Sequence, residues 1–282
     1  MRPVESPVGQ AVPVLRLRTA AAALVVALLA ATAAAQTPAA PSAPATPAAP
    51  RPAAPPAAAL PSARAVIDRH IEAIGGRKAI LGHASTYASG TMSMPSSGVS
   101  GSLDVYAARP DKSFVKLSIG GIGDVLEGSD GKIAWSVSAI TGPMLATGRE
   151  LAQKKFDAAY DADLHDPARY KSMRTVEQAP YEGRPCYKLS LVHLDGTEDI
   201  EYYDVATKLK VATVATRESP MGPVHVTLSF ADYRKFGDLL VPTTMTQSTM
   251  GVQQVLTFTV VEFDKVQASI FEPPAEIKAM LK

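Results

Sequence analysis

Histidine and carboxylate side chains are the residues of this sequence that could act as general bases or bind a metal ion. The five histidines are scattered, with no HExxH motif and no pair at metal-site spacing; they are His70, His83, His165, His193 and His225. The nearest approach to a metal site is the run Asp161–Asp166, which contains two further polar side chains, Asp163 and His165. It lacks the central glycine and terminal glutamate of a calcium loop, so we interpret it as a polar helix end.

Candidate nucleophiles are equally isolated. Ser100 lies in Gly-Val-Ser-Gly (98–101), where the second glycine is one residue too close for a nucleophile elbow and the pattern is that of a strand. Cys186 lies in a predicted strand without a base partner, which favours a buried, inert thiol. The glycine-rich run 120–123 is interpreted as a turn, because no helix follows it to bind phosphate. The sequence therefore predicts a protein that is not an enzyme and that needs no cofactor.

The N-terminal part of the chain has the composition of a targeting segment followed by a tether. Arg16 and Arg18 precede an apolar stretch, 20–31, and three alanines at 33–35 provide a small-residue cleavage site. That order is typical of a secretory signal peptide, predicted here as residues 1–35. Residues 36–61 are mostly alanine and proline and are predicted to be a disordered linker. We expect a periplasmic protein with no stable transmembrane span after cleavage and one folded domain, 62–282.

The charge of the predicted domain argues against nucleic acid as a partner. Residues 1–61 contain four of the 28 basic and one of the 27 acidic side chains, which leaves 24 basic and 26 acidic ones, a net charge of −2. Such a balance provides no basic surface for a phosphate backbone. Cys186 is the single cysteine, so no intrachain disulfide can form and the apolar core must provide the stability.

Two kinds of periodicity divide the domain. Apolar residues at helical spacing from Val66 to Ile74, after a capping Ser62 and before Gly75-Gly76, predict an N-terminal helix. Most of the remaining chain alternates with a period of two, and turn residues separate the runs, as in the segments 95–98, 129–131, 182–183 and 237–238. A second helix, Gly148 to Leu164, interrupts these strands. Closely spaced strands without intervening helices predict an antiparallel, strongly curved sheet or barrel.

The last strand has apolar residues at both alternating sets of positions. Leu256, Phe258 and Val260 belong to one set, and Val255, Val261 and Phe263 to the other. Since a strand with water on one side is apolar on one face only, we expect this strand to be covered on both faces or to line a cavity.

The order of these segments resembles that of the LolA-like carriers, which move lipoproteins across the bacterial periplasm. The resemblance extends over most of residues 64–275, and the segments that carry it are ARPDKSFVKL, GSDGKIAWSVS, CYKLSL, IEYYDVATKLKV, FADYRKFGDLLVPTTM and IFEPP. It implies a mainly β (α+β) fold: an incomplete antiparallel barrel of about eleven strands, with helices packed on the concave side. It also implies a lipid or an acylated lipoprotein as the partner, with acyl chains held in the cavity.

Two hypotheses about function follow. In the first, the protein is a carrier whose apolar half-barrel binds a lipid or acyl chain; the candidates for lining it are Val115, Leu117, Trp135, Phe230, Met245 and Phe258. In the second, the protein's own helices fill the cavity and a sheet edge binds an envelope protein, such as an exported peptidase-like partner. The strand after Pro242 is the candidate edge, because it is rich in polar residues at Thr243, Thr244, Thr246, Gln247 and Thr249.

Overall fold

The computed structural model describes residues 59–219 and 222–282. The predicted signal peptide, and all but the last three residues of the predicted linker, lie outside the described residues. Within the described part of the chain, no helix is both long and apolar enough to cross a membrane.

The N-terminal helix forms as the sequence predicts. Helix α1 (Ala63–Ala73) begins after Ser62, whose hydroxyl accepts a hydrogen bond from the backbone N–H of Ala65 (3.2 Å). Gly75 follows at φ 123°, a conformation that favours glycine, and a Cβ there would lie 2.3 Å from the side chain of Leu239. The chain therefore turns sharply into helix α2 (Gly76–Gly82) while touching the sheet.

In the described residues, thirteen antiparallel strands form one unclosed sheet, against about eleven in the prediction. In chain order they are β1 (Ser85–Met94), β2 (Val99–Ala108), β3 (Lys112–Ile119), β4 (Gly123–Ser129), β5 (Ala134–Ser138), β6 (Gly142–Leu145), β7 (Tyr170–Tyr181), β8 (Arg184–His193), β9 (Glu198–Asp204), β10 (Lys210–Arg217), β11 (Val224–Phe236), β12 (Leu239–Thr249) and β13 (Val252–Phe263). The spatial order is β6-β5-β4-β3-β2-β1-β13-β12-β11-β10-β9-β8-β7. Strands β6 and β7 are thus the two edges, and the predicted incomplete barrel is confirmed.

Strand β12 is an interior strand, which corrects one expectation. It pairs with β11 on one side and β13 on the other, so it is not the predicted polar edge. Three of its polar residues, Thr243, Gln247 and Thr249, are buried on the concave face instead. Exposure at a sheet edge therefore does not explain why these three residues are polar.

A β-bulge explains why the last strand is apolar at both sets of positions. The pairing of β1 with β13 shifts between Ser89 and Gly90, so that Phe258 lies opposite Gly90 and Val260 lies opposite Ser89. The bulge inserts one residue and reverses the alternation. Phe258 and Val261 are therefore both buried on the concave side, while Val260 is exposed. Of the two alternatives expected for this strand, cover on both faces or lining a cavity, the first was wrong, and the bulge accounts for the pattern.

The middle helix is shorter than predicted. Helix α3 spans Gly148–Asp157 instead of reaching Leu164, and two 3₁₀ turns follow at Ala162–Leu164 and Pro167–Arg169. Beyond Asp157, the backbone N–H of Tyr160 donates to the carbonyl of Pro110 (2.9 Å) instead of continuing the helical ladder. As a result, the segment that contains Asp163 turns towards the sheet.

The concave face of the sheet contains the main core. Ile67 and Ile71 of α1 are 0% and 2% exposed and join one apolar cluster with inward-facing residues of the strands, among them Leu103, Leu117, Leu189, Met245 and Phe258. Burial of each such side chain contributes about 1.5–3 kcal/mol. Helix α1 thus occupies the interior of the half-barrel.

A row of aromatic side chains crosses the convex face. Tyr87, Tyr106 and Phe114 are direct cross-strand partners, and the row continues through Gly128 to Trp135. The ring centroids of Phe114 and Trp135 are 5.8 Å apart, a favourable distance for an aromatic pair. The indole lies over Gly128, where a Cβ would be 2.4 Å from the ring.

The C-terminal segment covers this row. Its 3₁₀ turn (Ala268–Phe271) contacts β3, and its helix α4 (Ala275–Met280) contacts β6, next to Trp135. Phe271 and Ile277 are 2% and 0% exposed, and neither belongs to the concave cluster. The sheet therefore has a second, smaller apolar layer on its convex side.

Candidate functional site

The structure brings five of the six predicted lining residues to the concave face. Val115 and Leu117 lie on β3, and Phe230 and Met245 are direct partners across β11 and β12. Phe258 lies two residues beyond Leu256, the partner of Met245. All five are between 0% and 3% exposed, because helix α1 and neighbouring side chains already pack on them.

Trp135 is not among them. Pairing across β3, β4 and β5 places Val115 on the same face as Glu127 and Ser136, and Trp135 on the same face as Phe114 and Gly128. Trp135 therefore lies on the convex face, under the C-terminal segment. Strand β5 is apolar on that side because the C-terminal segment shields it from water. The alternation of apolar residues in β5 does not show which segment covers that face.

Polar contacts at both ends hold helix α1 on the concave face. At its N-terminal end, Arg64 donates from Nη1 to the carbonyls of Leu164 (3.0 Å) and His165 (3.1 Å). At its C-terminal end, the N–H of Leu240 donates to the carbonyl of Ile74 (2.9 Å). Within the helix, His70 Nδ1 lies 3.2 Å from the carbonyl oxygen of Lys208 and 3.3 Å from the backbone nitrogen of Lys210. The apolar side chains of α1 share one cluster with the five lining residues, which together are called the floor.

A partly open cavity of ≈ 90 Å³ lies beside this apolar floor. Val226, Leu228 and Phe230 form its apolar wall, and the opposite wall is polar, with Asp157, Asp163, His165, Asp199, Glu201, Lys210 and Arg217. A cavity of this volume has room for water molecules beside its polar side chains. The site is therefore amphipathic, and an apolar ligand reaches the buried floor side chains only if the cavity opens further.

One group of charges in the polar wall is centred on Arg217. Its guanidinium donates to both carboxylate oxygens of Asp199, at 2.8 and 3.1 Å, and its Nε lies 3.2 Å from Asp157. His193 Nε2 lies 3.1 Å from Asp199. Burial opposes the ionisation of Asp199, but the adjacent His193 ring and the charge of Arg217 outweigh it and hold the pKa of that carboxyl well below its usual range. Burial outweighs Arg217 at Asp157, whose pKa is raised.

A second group is centred on Glu201. Its carboxylate pairs with the ammonium of Lys210, lies 2.9 Å from His165 Nε2, and accepts the hydroxyl hydrogen of Tyr203. Glu201 and Lys210 are 4% and 3% exposed. Isolated charges at this depth would be strongly unfavourable, so the pairing is required for folding in this arrangement.

Sequence reasoning missed both groups. The available indication was the alternation of β9, where Asp199, Glu201 and Tyr203 occupy the inward positions. Those positions would ordinarily be apolar, so two carboxylates there indicate buried partners. The predicted helix-end cluster contributes His165 to this network, and no group of three or more potential ligands in the described ranges has the arrangement of a metal site.

A second cavity, of ≈ 270 Å³, lies on the other side of Arg217. It shares Phe156, Asp157 and Arg217 with the first, and its remaining lining comes mainly from α3, the turn at 167–169 and the hairpin after β8. The Phe156 ring is held between Arg169, 3.8 Å from its centroid, and the His193 ring, 4.3 Å away. Phe156, Asp157 and Arg217 therefore lie between the two cavities and line both of them.

The candidate nucleophiles remain without a catalytic arrangement. Cys186 is fully buried, and burial together with the charge of Asp204 raises the pKa of its thiol, which disfavours the reactive thiolate. Ser100 is exposed on β2. What the geometry provides is an apolar floor under a helix, bordered by a polar wall.

Comparison with known proteins supports the fold. No protein-family model and no curated protein matches the sequence. A DUF1329 family protein from Desulfovibrio piger has a similar structure, with a TM-score of 0.51, 14% identity, and coverage of 74% of this chain and 97% of that one. A LolA superfamily protein from Nitrosomonas europaea gives a TM-score of 0.50 at 12% identity, covering 76% and 99% of the two chains. The resemblance noted in the sequence is thus confirmed for the fold: the unclosed, curved sheet of this chain has the fold of these two solved structures.

Proposed function

We propose that this protein is a non-catalytic periplasmic carrier that holds a lipid, or an acyl chain of a lipoprotein, on the concave face of its half-barrel. The observation that carries the proposal is the floor formed by Val115, Leu117, Phe230, Met245 and Phe258, which is covered by a helix rather than by a closing strand. A helix can be displaced without breaking the hydrogen-bond ladder of the sheet. An acyl chain can then take the place of the helix against the same side chains.

The energetics support exchange rather than filling of an empty cavity. An empty apolar groove would be unfavourable in water, and here α1 covers it. Burial of each methylene contributes about 0.8 kcal/mol, so a chain of some ten methylenes gains an amount comparable to the contacts of the few α1 side chains that it replaces. Gly75 and Gly76, both at positive φ, directly follow α1 and provide a place where the backbone can change direction.

Export is part of the proposal. The order of basic, apolar and small residues in segment 1–35 supports a signal peptide, and the composition of 36–61 supports a linker to a folded domain at 62–282. The LolA-superfamily name of one structural neighbour agrees with a role in the bacterial envelope. The delivery partner would then be another envelope protein.

A second function, protein binding, is favoured by a different observation. The five lining residues are already buried, and strand β7 is a 12-residue edge that pairs on one side only. Val176 on this strand is 48% exposed. A long edge with unpaired backbone groups can accept a strand from an envelope protein.

Native mass spectrometry of the exported chain, purified from a bacterial envelope, separates these functions. We expect a stoichiometric lipid or acylated peptide that is lost when Phe258 is replaced by glutamate, because a charge on the floor is incompatible with an acyl chain. Circular dichroism of Phe258→Glu controls for folding. A clean apo mass, together with no binding of apolar fluorescent probes at micromolar protein, would contradict the carrier function and favour the edge-binding one.

A further inference from the structure

On strands β12 and β13, three buried polar side chains that face the concave side have atoms without hydrogen-bond partners. They belong to Gln247, Thr249 and Gln254, which are 1%, 2% and 6% exposed. Within residues 59–219 and 222–282, no partner lies within hydrogen-bond distance of Gln247 Oε1 and Nε2, Thr249 Oγ1 or Gln254 Oε1. A buried polar atom without a hydrogen-bond partner is costly, so these atoms require a partner.

These side chains continue the row of the predicted lining residues. Met245, Gln247 and Thr249 alternate along β12 and therefore share one face. Gln247 is the direct partner of Gln254, just as Met245 is the direct partner of Leu256 one step along the strands. The unpaired atoms thus form a polar patch at the end of the apolar floor.

The patch also adjoins the cavity of ≈ 90 Å³. Across β11 and β12, Leu228 is the direct partner of Gln247, and Val226 is the direct partner of Thr249. Both Leu228 and Val226 line that cavity. A ligand that enlarges the cavity along the floor therefore reaches the patch next.

Another buried polar residue on the same strand differs from the residues of this patch. Thr243 is 2% exposed, like Thr249, but its hydroxyl donates to the carbonyl of Asp232 (2.7 Å). A buried hydroxyl at another position of β12 therefore does have its hydrogen-bond partner. The three side chains of the patch instead present unpaired groups next to an apolar surface.

The unpaired atoms define the chemistry of a partner. Gln247 Oε1 and Gln254 Oε1 need donors, and Gln247 Nε2 needs an acceptor, while Thr249 Oγ1 can accept or donate. An ester has no donor and leaves both oxygens unsatisfied. A secondary amide has its N–H and C=O on opposite edges, so one amide between the two glutamines can donate to Gln254 and accept from Gln247.

We propose that Gln247, Thr249 and Gln254 form a hydrogen-bonding subsite for an amide-linked acyl chain, whose hydrocarbon part lies on the floor at Met245 and Phe258. The inference rests on the proposed carrier function and makes it more specific. The floor binds any hydrocarbon, and the patch selects how that hydrocarbon is attached to its head.

Two ligands that differ in one group test the subsite: N-dodecanoylglycine, and the ester in which oxygen replaces its N–H. We expect the exported chain to bind the amide roughly tenfold more tightly than the ester, the ratio that corresponds to one buried hydrogen bond. In the variant Gln247→Met/Gln254→Met, which keeps side-chain length, both ligands should bind and the ratio should fall to about one. The ligand-free variant should melt at the same or a higher temperature, because it no longer buries unpaired amides.

Controls separate the subsite from the carrier function. Thr243→Val, on the same strand and face, should lower the melting temperature and leave the amide-to-ester ratio unchanged, whereas Thr249→Val should lower the ratio. Equal affinities in the wild type, a ratio that survives the double substitution, or a double variant that melts earlier would each overturn the subsite and leave the carrier function standing. Failure of the wild type to bind either ligand would overturn both.

Discussion

At the scale of single residues, the concave face combines an apolar floor with buried ions. Ions are unusual beside a surface proposed for hydrocarbon, because burying them costs several kcal/mol each unless they are paired. Here three carboxylates of the polar wall have a cationic neighbour: Asp157 and Asp199 pair with Arg217, and Glu201 pairs with Lys210. The pairs Asp199–Arg217 and Glu201–Lys210 link strands β9 and β10 on the concave face. They also mark the boundary of the apolar floor.

The pairing of Asp199 with Arg217 makes stability depend on pH. Because the folded-state pKa of Asp199 lies below its unfolded value of about 3.9, the pair contributes stability above that pH and loses it as pH falls through the folded pKa. Asp199→Asn should therefore destabilise the protein by about 3 kcal/mol at pH 7, by leaving Arg217 half-paired. Urea unfolding at pH 7 and pH 3 measures this, and the gap between the two proteins should narrow at the lower pH. Parallel profiles would contradict the assignment.

A matched pair of glycines tests the aromatic row. Gly128→Ala places a Cβ against the Trp135 ring and should cost about 1–3 kcal/mol, the usual range for overpacking. Gly120→Ala is the control, because no atom lies within 4 Å of its added Cβ, and it should change stability by less than about 0.5 kcal/mol. Thermal unfolding with the fluorescence of the single tryptophan as the signal measures both. Equal effects would mean that the ring does not occupy this position.

At the scale of elements, the sequence predicts the hairpins but not the β-bulge that shifts the register between β1 and β13. Turn residues at 95–98, 182–183 and 237–238 marked hairpins correctly, because those turns depend on local backbone preferences. The bulge opposite Ser89 and Gly90 was missed, since a period-two pattern assumes an unbroken ladder. Five of six lining residues were brought together as a face, whereas Trp135 was misplaced because its cover comes from a distant segment of the chain.

The exchange of helix α1 for a ligand predicts opposite changes in stability and affinity. Ile67→Ala should cost about 2–5 kcal/mol of stability, as for other buried isoleucines, and should tighten the binding of an apolar probe, because the ligand competes with a weakened helix. Ile277→Ala is the matched control: both isoleucines are 0% exposed, but Ile277 packs outside the concave cluster. It should lower stability without tightening binding. Probe titration after chemical-denaturation measurements gives both quantities.

If Ile67→Ala weakens probe binding instead, α1 is part of the binding surface and not its competitor. If both isoleucine variants tighten binding equally, general loosening of the fold explains the effect. Either result would remove the support for helix exchange.

At the scale of the whole molecule, one sheet separates two apolar layers with different covers. The concave layer is covered by α1, which precedes Gly75-Gly76, and the convex layer by the C-terminal segment from 268 onwards. In the proposed function only the concave cover moves. The convex apolar layer then maintains the curvature of the sheet while a ligand replaces α1 on the concave face.

The position of Trp135 makes this division measurable with the unmodified protein. A saturating apolar ligand should leave the emission of Trp135 nearly unchanged, because the ring lies on the convex face, yet should raise the unfolding free energy by about 2.7 kcal/mol at a ligand concentration 100 times Kd. Removing residues 268–282 should instead shift the emission to the red, since Phe271 and Ile277 no longer shield that face from water. A large change in tryptophan emission on ligand binding, without truncation, would mean that the ligand reaches the convex layer or that both covers move together, and the two faces would then have to be treated as one coupled site.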